Sequence, residues 1–272
     1  MENLPAQPGV LRIAAFLSVF MLLAVIEMIW PRRPLTVSKT GRWRTNLAII
    51  LLNNLLITFV FPAAPFGAAV MAQNSGWGLF HRMTLPGPLE IVISLLLLDL
   101  VIYLQHRAFH RVTLFWRLHR MHHTDLDLDV SSGIRFHPLE ITLSLVIKLL
   151  AVVVLGIAPL SVLLFEILLN ATSMFNHANI RIPPAVDRWL RMVLVTPDMH
   201  RVHHSVIPRE TDSNFSFNLP WWDRLFGTYT AQPREGHDRM VIGLKEFRNQ
   251  HELGFGRLLL IPFVSVTTRR TP

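Results

Sequence analysis

Residues 10–30 read VLRIAAFLSVFMLLAVIEMIW, with one arginine and one glutamate among otherwise almost wholly apolar positions. At the helical rise this run is long enough to cross the roughly 30 Å hydrocarbon core of a bilayer. It has neither the short apolar centre nor the small-residue cleavage site of a signal peptide, so a retained helix is expected. Further apolar stretches cover about 46–72, 88–105, 139–157 and 159–176. Pro138 and Gly156-Ile157-Ala158-Pro159 mark breaks or tight turns between them. The Pro62–Pro65 interruption makes the second stretch a kinked helix or a helix followed by a re-entrant piece. With 51% of residues apolar, the chain carries more hydrophobic surface than it could hide from water. The expected fold is all-α: one multi-pass membrane bundle of four or five spans under a histidine-rich helical cap. Its regions are N-terminal membrane helices at 1–88, a chemistry-bearing region at 89–230 and a C-terminal cytoplasmic or interfacial segment at 231–272.

Basic residues in short loops set orientation. The 31–44 loop holds Arg32, Arg33, Lys39, Arg42 and Arg44 against no acids, and is expected to be cytoplasmic. Counting spans from there delivers both 106–137 and 177–272 to the same side. The expected location is a bacterial inner membrane with this cap facing the cytoplasm. The net charge of +8 suits anionic lipid headgroups. Basic residues are scattered and no recognition module is visible, which argues against nucleic acid. The absence of cysteine excludes disulfides, thiolate iron–sulfur ligation and a cysteine nucleophile.

Within that frame LHRMHHTD (118–125) and MHRVHHSV (199–206) write the same imidazole pattern twice. On a helix, positions i, i+3 and i+4 share a face, so each triplet is expected to aim three rings at one point. His106 and His110 add an i, i+4 pair where the third apolar stretch ends. Glu166, Asn170, Ser173 and His177 form a polar stripe along the last one, with His177 at its end. Nine candidate ligands result: His106, His110, His119, His122, His123, His177, His200, His203 and His204. A tetrahedral zinc site uses about four ligands, so nine suit two metals. Imidazole accepts iron, zinc, copper and nickel alike, and does not choose among them. A pH-sensing cluster is the weaker reading, because sensing does not require rings that share a face.

Around these ligands Asp99, Asp198, Asn170, Glu166 and His137 are candidates for further ligation or for orienting an imidazole. An acid inside an apolar span needs a partner, and Asp99 lies two turns from His106. Asp99 and Asp198 are the acids chosen for that role over Glu140 and Asp223. His137, before Pro138, serves equally well as a helix cap. His81, His237 and His251 have no neighbours at ligand spacing and read as surface or loop histidines. TDLDLD (124–129) lacks the glycine and terminal glutamate of a calcium loop and reads as solvated surface. Trp221 and Trp222 suit the membrane interface or a wall of the site. GRLLLIPFV (256–264) is too short to span and should lie on the membrane or against the core.

The ordered pieces HRAFH, HRMHH and HRVHH, separated by a hydrophobic hairpin, resemble the three histidine boxes of the membrane-bound fatty acid hydroxylase and sterol desaturase superfamily. RFHPLE, FNHANI, TPDMHRVHHS and WDRLFGTY are similar to the same family, and the resemblance covers about 90–230. It implies a helical membrane enzyme with two iron ions held by the box histidines, using dioxygen and two electrons to hydroxylate or desaturate an acyl chain, sterol or alkyl lipid. Because no cysteine set, haem motif or dinucleotide fingerprint is present, electrons should come from a separate reductase, ferredoxin-like or cytochrome-like protein. Arg107, Arg111, Arg117, Arg120 and Arg201 would form part of its dock, or contact headgroups. A metal-ion transporter and a zinc-dependent lipid hydrolase are the competing classes.

Overall fold

The computed structural model describes residues 7–62 and 65–265, and among these every regular element is helical. The long helices are α1 (Pro8–Ile29), α2 (Lys39–Val60), α4 (Gly87–Arg111), α6 (Pro138–Leu155) and α7 (Pro159–His177). All five are long and apolar enough to cross a membrane. The second apolar stretch is not one kinked helix. α2 stops at Val60 and a separate α3 (Phe66–Ser75) begins after Pro65, where proline disfavours continuation of the helix through the residues before it. Proline also opens α1, α4, α6 and α7 within the first two helical positions, where its missing N–H leaves no hydrogen bond unmade.

α7 lies at the centre of the bundle. In its apolar window 56% of residues are buried, against 17% for α1, α2 and α6. The outer helices turn side chains such as Leu51, Phe59, Leu150 and Val154 outward, which lipid tolerates and water would not. Tight packing closes one end. Gly156 caps α6 in the left-handed conformation with φ 70°, and the 76–79 turn crosses directly over it. A Cβ on Gly78 would sit 2.2 Å from the Gly156 nitrogen, so only glycine permits this crossing.

The opposite end carries the cap: α5 (Thr113–His123), α8 (Pro184–Leu190), α9 (Pro197–His203), α10 (Pro208–Thr211), α11 (Trp221–Leu225), α12 (Gly236–Arg239) and α13 (Phe255–Leu260). Both histidine triplets reside there, on α5 and α9. Glu27, near the end of α1, accepts hydrogen bonds from the backbone N–H groups of Val130 (2.7 Å) and Asn179 (2.8 Å). Pro31 and Ile180 pair as an isolated antiparallel bridge. The first span is thereby tied to both flanks of the site. The 256–264 segment packs inward through Leu258 and Ile261.

The TDLDLD stretch differs from its reading as solvated surface. Asp125, Asp127 and Asp129 are each only 1% exposed, because Arg42 at the start of α2 reaches into the loop they form. Arg42 donates to Asp125 through Nε (2.7 Å) and Nη2 (2.9 Å), and to Asp129 through Nη1 (2.6 Å). The backbone N–H groups of Thr36 and Val37 satisfy Asp127 at 2.7 and 3.0 Å. Acids that looked destined for water thus neutralise a cation arriving from eighty residues away. Burial by itself would raise the Asp125 carboxyl, but Arg42 and Arg135 hold it well below the ordinary carboxylate range.

Two outcomes follow. Replacing Arg42 by Met leaves buried carboxylates uncompensated and should cost about 3–5 kcal/mol, read as a lower thermal midpoint of the purified protein. The stability that Asp125 contributes is present above its unfolded pKa of about 3.9 and is lost as pH falls through its lower folded value. Asp125→Asn should therefore flatten the acid limb of the stability profile, and an unchanged limb would show that the ion pair does not govern it.

Candidate metal centre

The nine predicted histidines are all buried, and they converge in two groups. His106, His110, His119, His123 and His203 form one; His122, His177, His200 and His204 form the other. Within each group one ring nitrogen per residue lies within 4.8 Å of all the others. Neither triplet aims at a single point, contrary to expectation. His119 and His123 of α5 enter the first group and His122 the second, while His200 and His204 enter the second and His203 the first. The cause is helical geometry: at about 100° per residue, i+3 and i+4 fall on opposite flanks of i. α5 and α9 therefore each feed both groups, and the two triplets interlock.

Ring nitrogens face one another closely. His106 and His119 approach at 3.1 Å, His119 and His123 at 3.2 Å, His122 and His177 at 3.0 Å, and His177 lies 3.2 Å from both His200 and His204. Each of these contacts is Nε2 to Nε2. The outward nitrogen is held separately. His106 Nδ1 donates to the Phe215 carbonyl at 2.6 Å, His122 to Arg135 O at 3.1 Å, His177 to Ser173 O at 2.7 Å and His203 to Ser213 O at 2.7 Å. His119 Nδ1 donates to Glu140 Oε1 at 2.6 Å, and His110 Nδ1 to Asp212 at 3.2 Å.

A carbonyl oxygen can only accept, so Nδ1 carries the proton and Nε2 is left as a lone pair. That is the tautomer a metal-ligating imidazole requires. Burial, reinforced by neighbouring imidazoles, keeps His122, His123, His200, His203 and His204 well below the ordinary histidine range, so they stay neutral. His203 Nε2 is a buried acceptor with no hydrogen-bond partner among the described residues. In His122 and His177, where carbonyls hold both Nδ1 protons, the two Nε2 lone pairs converge at 3.0 Å with no donor between them, which is costly unless a cation is shared. Ligands about 2.1 Å from one ion stand up to about 4.2 Å apart, so these groups need only slight contraction to close on one ion each.

The surrounding acids are arranged differently from the sequence reading. Among the described residues Asp99 hydrogen-bonds to no imidazole: it accepts from Asn218 Nδ2 (2.8 Å), Leu219 N (3.2 Å) and Trp222 Nε1 (2.8 Å). It anchors the 215–222 loop, whose inner side Asp223 holds through Phe215 N (2.8 Å) and Ser216 N (3.0 Å). The Phe215 carbonyl of that loop then orients His106. Asp198 pairs with Arg32 and Arg201 instead of with a ring of either group. Glu166 and Asn170 lie further along α7, where Glu166 pairs with Lys148 and Asn170 donates to the Glu166 carbonyl. The polar stripe is real, but only His177 reaches the cluster.

His137 caps α6, accepting from Leu139 N at 3.1 Å and donating to Leu259 O at 3.2 Å, and belongs to neither group. His237, read as a surface histidine, is buried 3.8 Å from Asp198, and burial pushes it down to about 4. Arg120 and Arg201 are unavailable to a docking partner. Both are buried, Arg120 on the Ile261 and Val264 carbonyls and Arg201 on Asp198. Arg111 is exposed. Trp222 turns inward to Asp99 while Trp221 stays 44% exposed.

Two acids that hold imidazoles were not chosen from the sequence. Glu140 had a faint signal, three residues after His137 at a helix start. Asp212 had none, since a partner 102 positions from His110 leaves no spacing to read.

A cavity of about 240 Å³ begins at His106, His119 and Glu140 and runs between α2, α4, α6 and α7. Its apolar wall includes Ile102, Phe109, Phe136, Leu145, Leu169 and Phe217.

The fatty acid hydroxylase family model matches residues 91–228, more than half of the chain and all nine clustered histidines. The ornithine lipid hydroxylase OlsE of Rhizobium tropici is 27% identical over 225 residues, covering 80% of this chain and 67% of that protein. Alkylglycerol monooxygenase of Xenopus tropicalis is 27% identical over 240 residues, covering 86% of this chain and 50% of its own. A very-long-chain aldehyde decarbonylase, GL1-7 of Oryza sativa subsp. japonica, is 23% identical over 209 residues, 72% of this chain and 30% of that protein. The chain thus spans half or less of these last two relatives. No solved structure matches it. With five membrane-length helices, a family match over the histidine region and the boxes brought together in one buried cluster, this chain is an integral-membrane member of the fatty acid hydroxylase family.

Proposed function

We propose that the protein is a membrane lipid hydroxylase whose two imidazole groups hold one iron ion each. The observation that carries this reading is the pairing of five and four buried imidazoles, with Nε2 turned inward and Nδ1 fixed wherever a partner is present. Paired irons supply activation of dioxygen with two electrons. In balance, R–H, O₂, two electrons and two protons give R–OH and water. Desaturation of the same chain uses the same oxidant and electrons and releases two waters.

The chain's own residues do the positioning. His119 is steadied by Glu140, and His106 by the loop that Asp99 and Asp223 fix. The cavity meets the first group at His106 and His119, so an acyl or alkyl chain lying in it presents a carbon there. Its apolar wall excludes water from that carbon. We place the cap on the cytoplasmic side, following the basic 31–44 loop. With no cysteine set, haem motif or dinucleotide fingerprint in this sequence, we assign electron delivery to a separate protein, and exposed Arg111 with Arg107 and Arg117 marks the face for an acidic donor. A transporter would place ligands near the bilayer midplane, whereas these gather where spans end in the cap.

Purified protein should contain close to two irons per chain by elemental analysis. His122→Ala and His203→Ala, one from each group, should each lose metal together with activity, and full metal retention in both would reject the assignment. Glu140→Gln should weaken metal affinity or activity by roughly 10–100-fold, whereas Asp198→Asn should leave the metal content unchanged. Equal effects from the two would remove Glu140 from its role. Lipid profiles of cells with and without the protein should differ in air and coincide without oxygen; a difference that persists anaerobically would favour a hydrolase.

A further inference from the structure

The far end of the same cavity is lined by three charged side chains that the oxidation itself does not use: Arg12 of α1, Lys148 of α6 and Glu166 of α7. Lys148 Nζ lies 2.8 Å from Glu166 Oε1, and Arg12 Nη1 lies 3.1 Å from Glu166 Oε2. One carboxylate therefore serves two cations, and a unit of positive charge is left over. Charged side chains within apolar spans are costly, face the interior of the bundle or a cavity, and mark sites of function. Donors also remain open. Arg12 Nε is buried with no hydrogen-bond partner among the described residues, as is Glu166 Oε2, which Arg12 meets as an ion pair only, and Lys148 makes one hydrogen bond with an ammonium that has three to give, so open donors outnumber the one open acceptor.

The arrangement also has a mouth. Asn54 is exposed and the Arg12 side chain 37% exposed, so the cavity reaches the outside where the cations sit and is closed at the histidines. Along α6, Lys148 stands eight residues from Glu140, about 12 Å at the helical rise. Along α7, Glu166 stands eleven residues from His177, about 16 Å.

We propose that Arg12 and Lys148 bind a single anionic oxygen group of the lipid substrate, a carboxylate or a phosphodiester, whose chain then runs down the cavity to His106 and His119. This rests on the lipid-hydroxylase reading above and adds the substrate's charge and a ruler. Fixing the anion at one end places oxidation at a carbon roughly 12–16 Å away along the chain. Glu166 neutralises one of the two cations and so limits the site to one negative charge.

The test is equilibrium binding to the full-length, metal-loaded protein in lipid nanodiscs. The probes are a saturated fatty acid, the fatty alcohol of the same length, and a monoacyl phosphatidylglycerol with the same chain. At least one anionic probe should bind about tenfold or more tightly than the alcohol, as charge-assisted hydrogen bonds predict. Whichever anion shows the preference identifies the source. Lys148→Met should bring that anion to the alcohol's affinity and leave the alcohol unchanged. Glu166→Gln should retain or strengthen anion binding, because it removes a negative charge from the site; an ion pair serving only to join helices would give no such opposite signs. Equal affinity for acid, phospholipid and alcohol in the native protein would overturn the proposal, as would parallel loss of all probes in Lys148→Met or loss of the anion in Glu166→Gln. If Lys148→Met does not fold, Arg12→Gln carries the same comparison at a more exposed side chain. Iron content, measured alongside, reports separately on the hydroxylase reading: anion selectivity without iron would sink that reading and leave the binding site standing.

Discussion

Burying neutral imidazoles so that their lone pairs face one another is the arrangement on which everything else in this molecule depends. Left alone, such nitrogens repel and lack donors. The protein meets that condition from outside the cluster, with Phe215, Ser213, Ser173 and Arg135 carbonyls and the Glu140 and Asp212 carboxylates each accepting a hydrogen bond from an Nδ1. Those acceptors come from four separate parts of the chain. The cap folds as it does because loops at 132–135 and 212–217 have to present carbonyls to rings on α4, α5 and α9, while the ring on α7 is held by a carbonyl of its own helix.

A second layer keeps those loops in place. Asp223 grips the 215–222 loop at Phe215 and Ser216 and Asp99 at Asn218, Leu219 and Trp222, while Arg42 gathers the 125–132 segment around its guanidinium. In both cases a charge located in or beside a span organises a loop in the cap. The membrane bundle and the cap are therefore one structure, joined at their boundary by hydrogen bonds to Asp99 and ion pairs to Arg42.

Periodicity carried much of this in the sequence. The apolar runs announced the five long helices, and the i, i+3, i+4 histidines announced rings that do come together. What spacing could not give was the division of each triplet between two groups, because sharing a face and sharing a point differ by the angle between i+3 and i+4. Nor could it give partners set by tertiary contact. Asp99 pointed toward His106 along its helix but turned to a loop from residue 218 onward, and the aspartates of TDLDLD looked solvated because their counter-ion sits on another helix. Family resemblance located the boxes and was silent on both.

Glu27 gives the first helix a meaning beyond anchorage. Its one carboxylate oxygen caps the backbone beside the segment that orients His122 and the segment that follows His177. A leash can be swapped for any other leash of similar length. A clasp that closes over two walls of the histidine cluster cannot, so α1 belongs to the frame of that cluster as fully as the helices that bear the boxes.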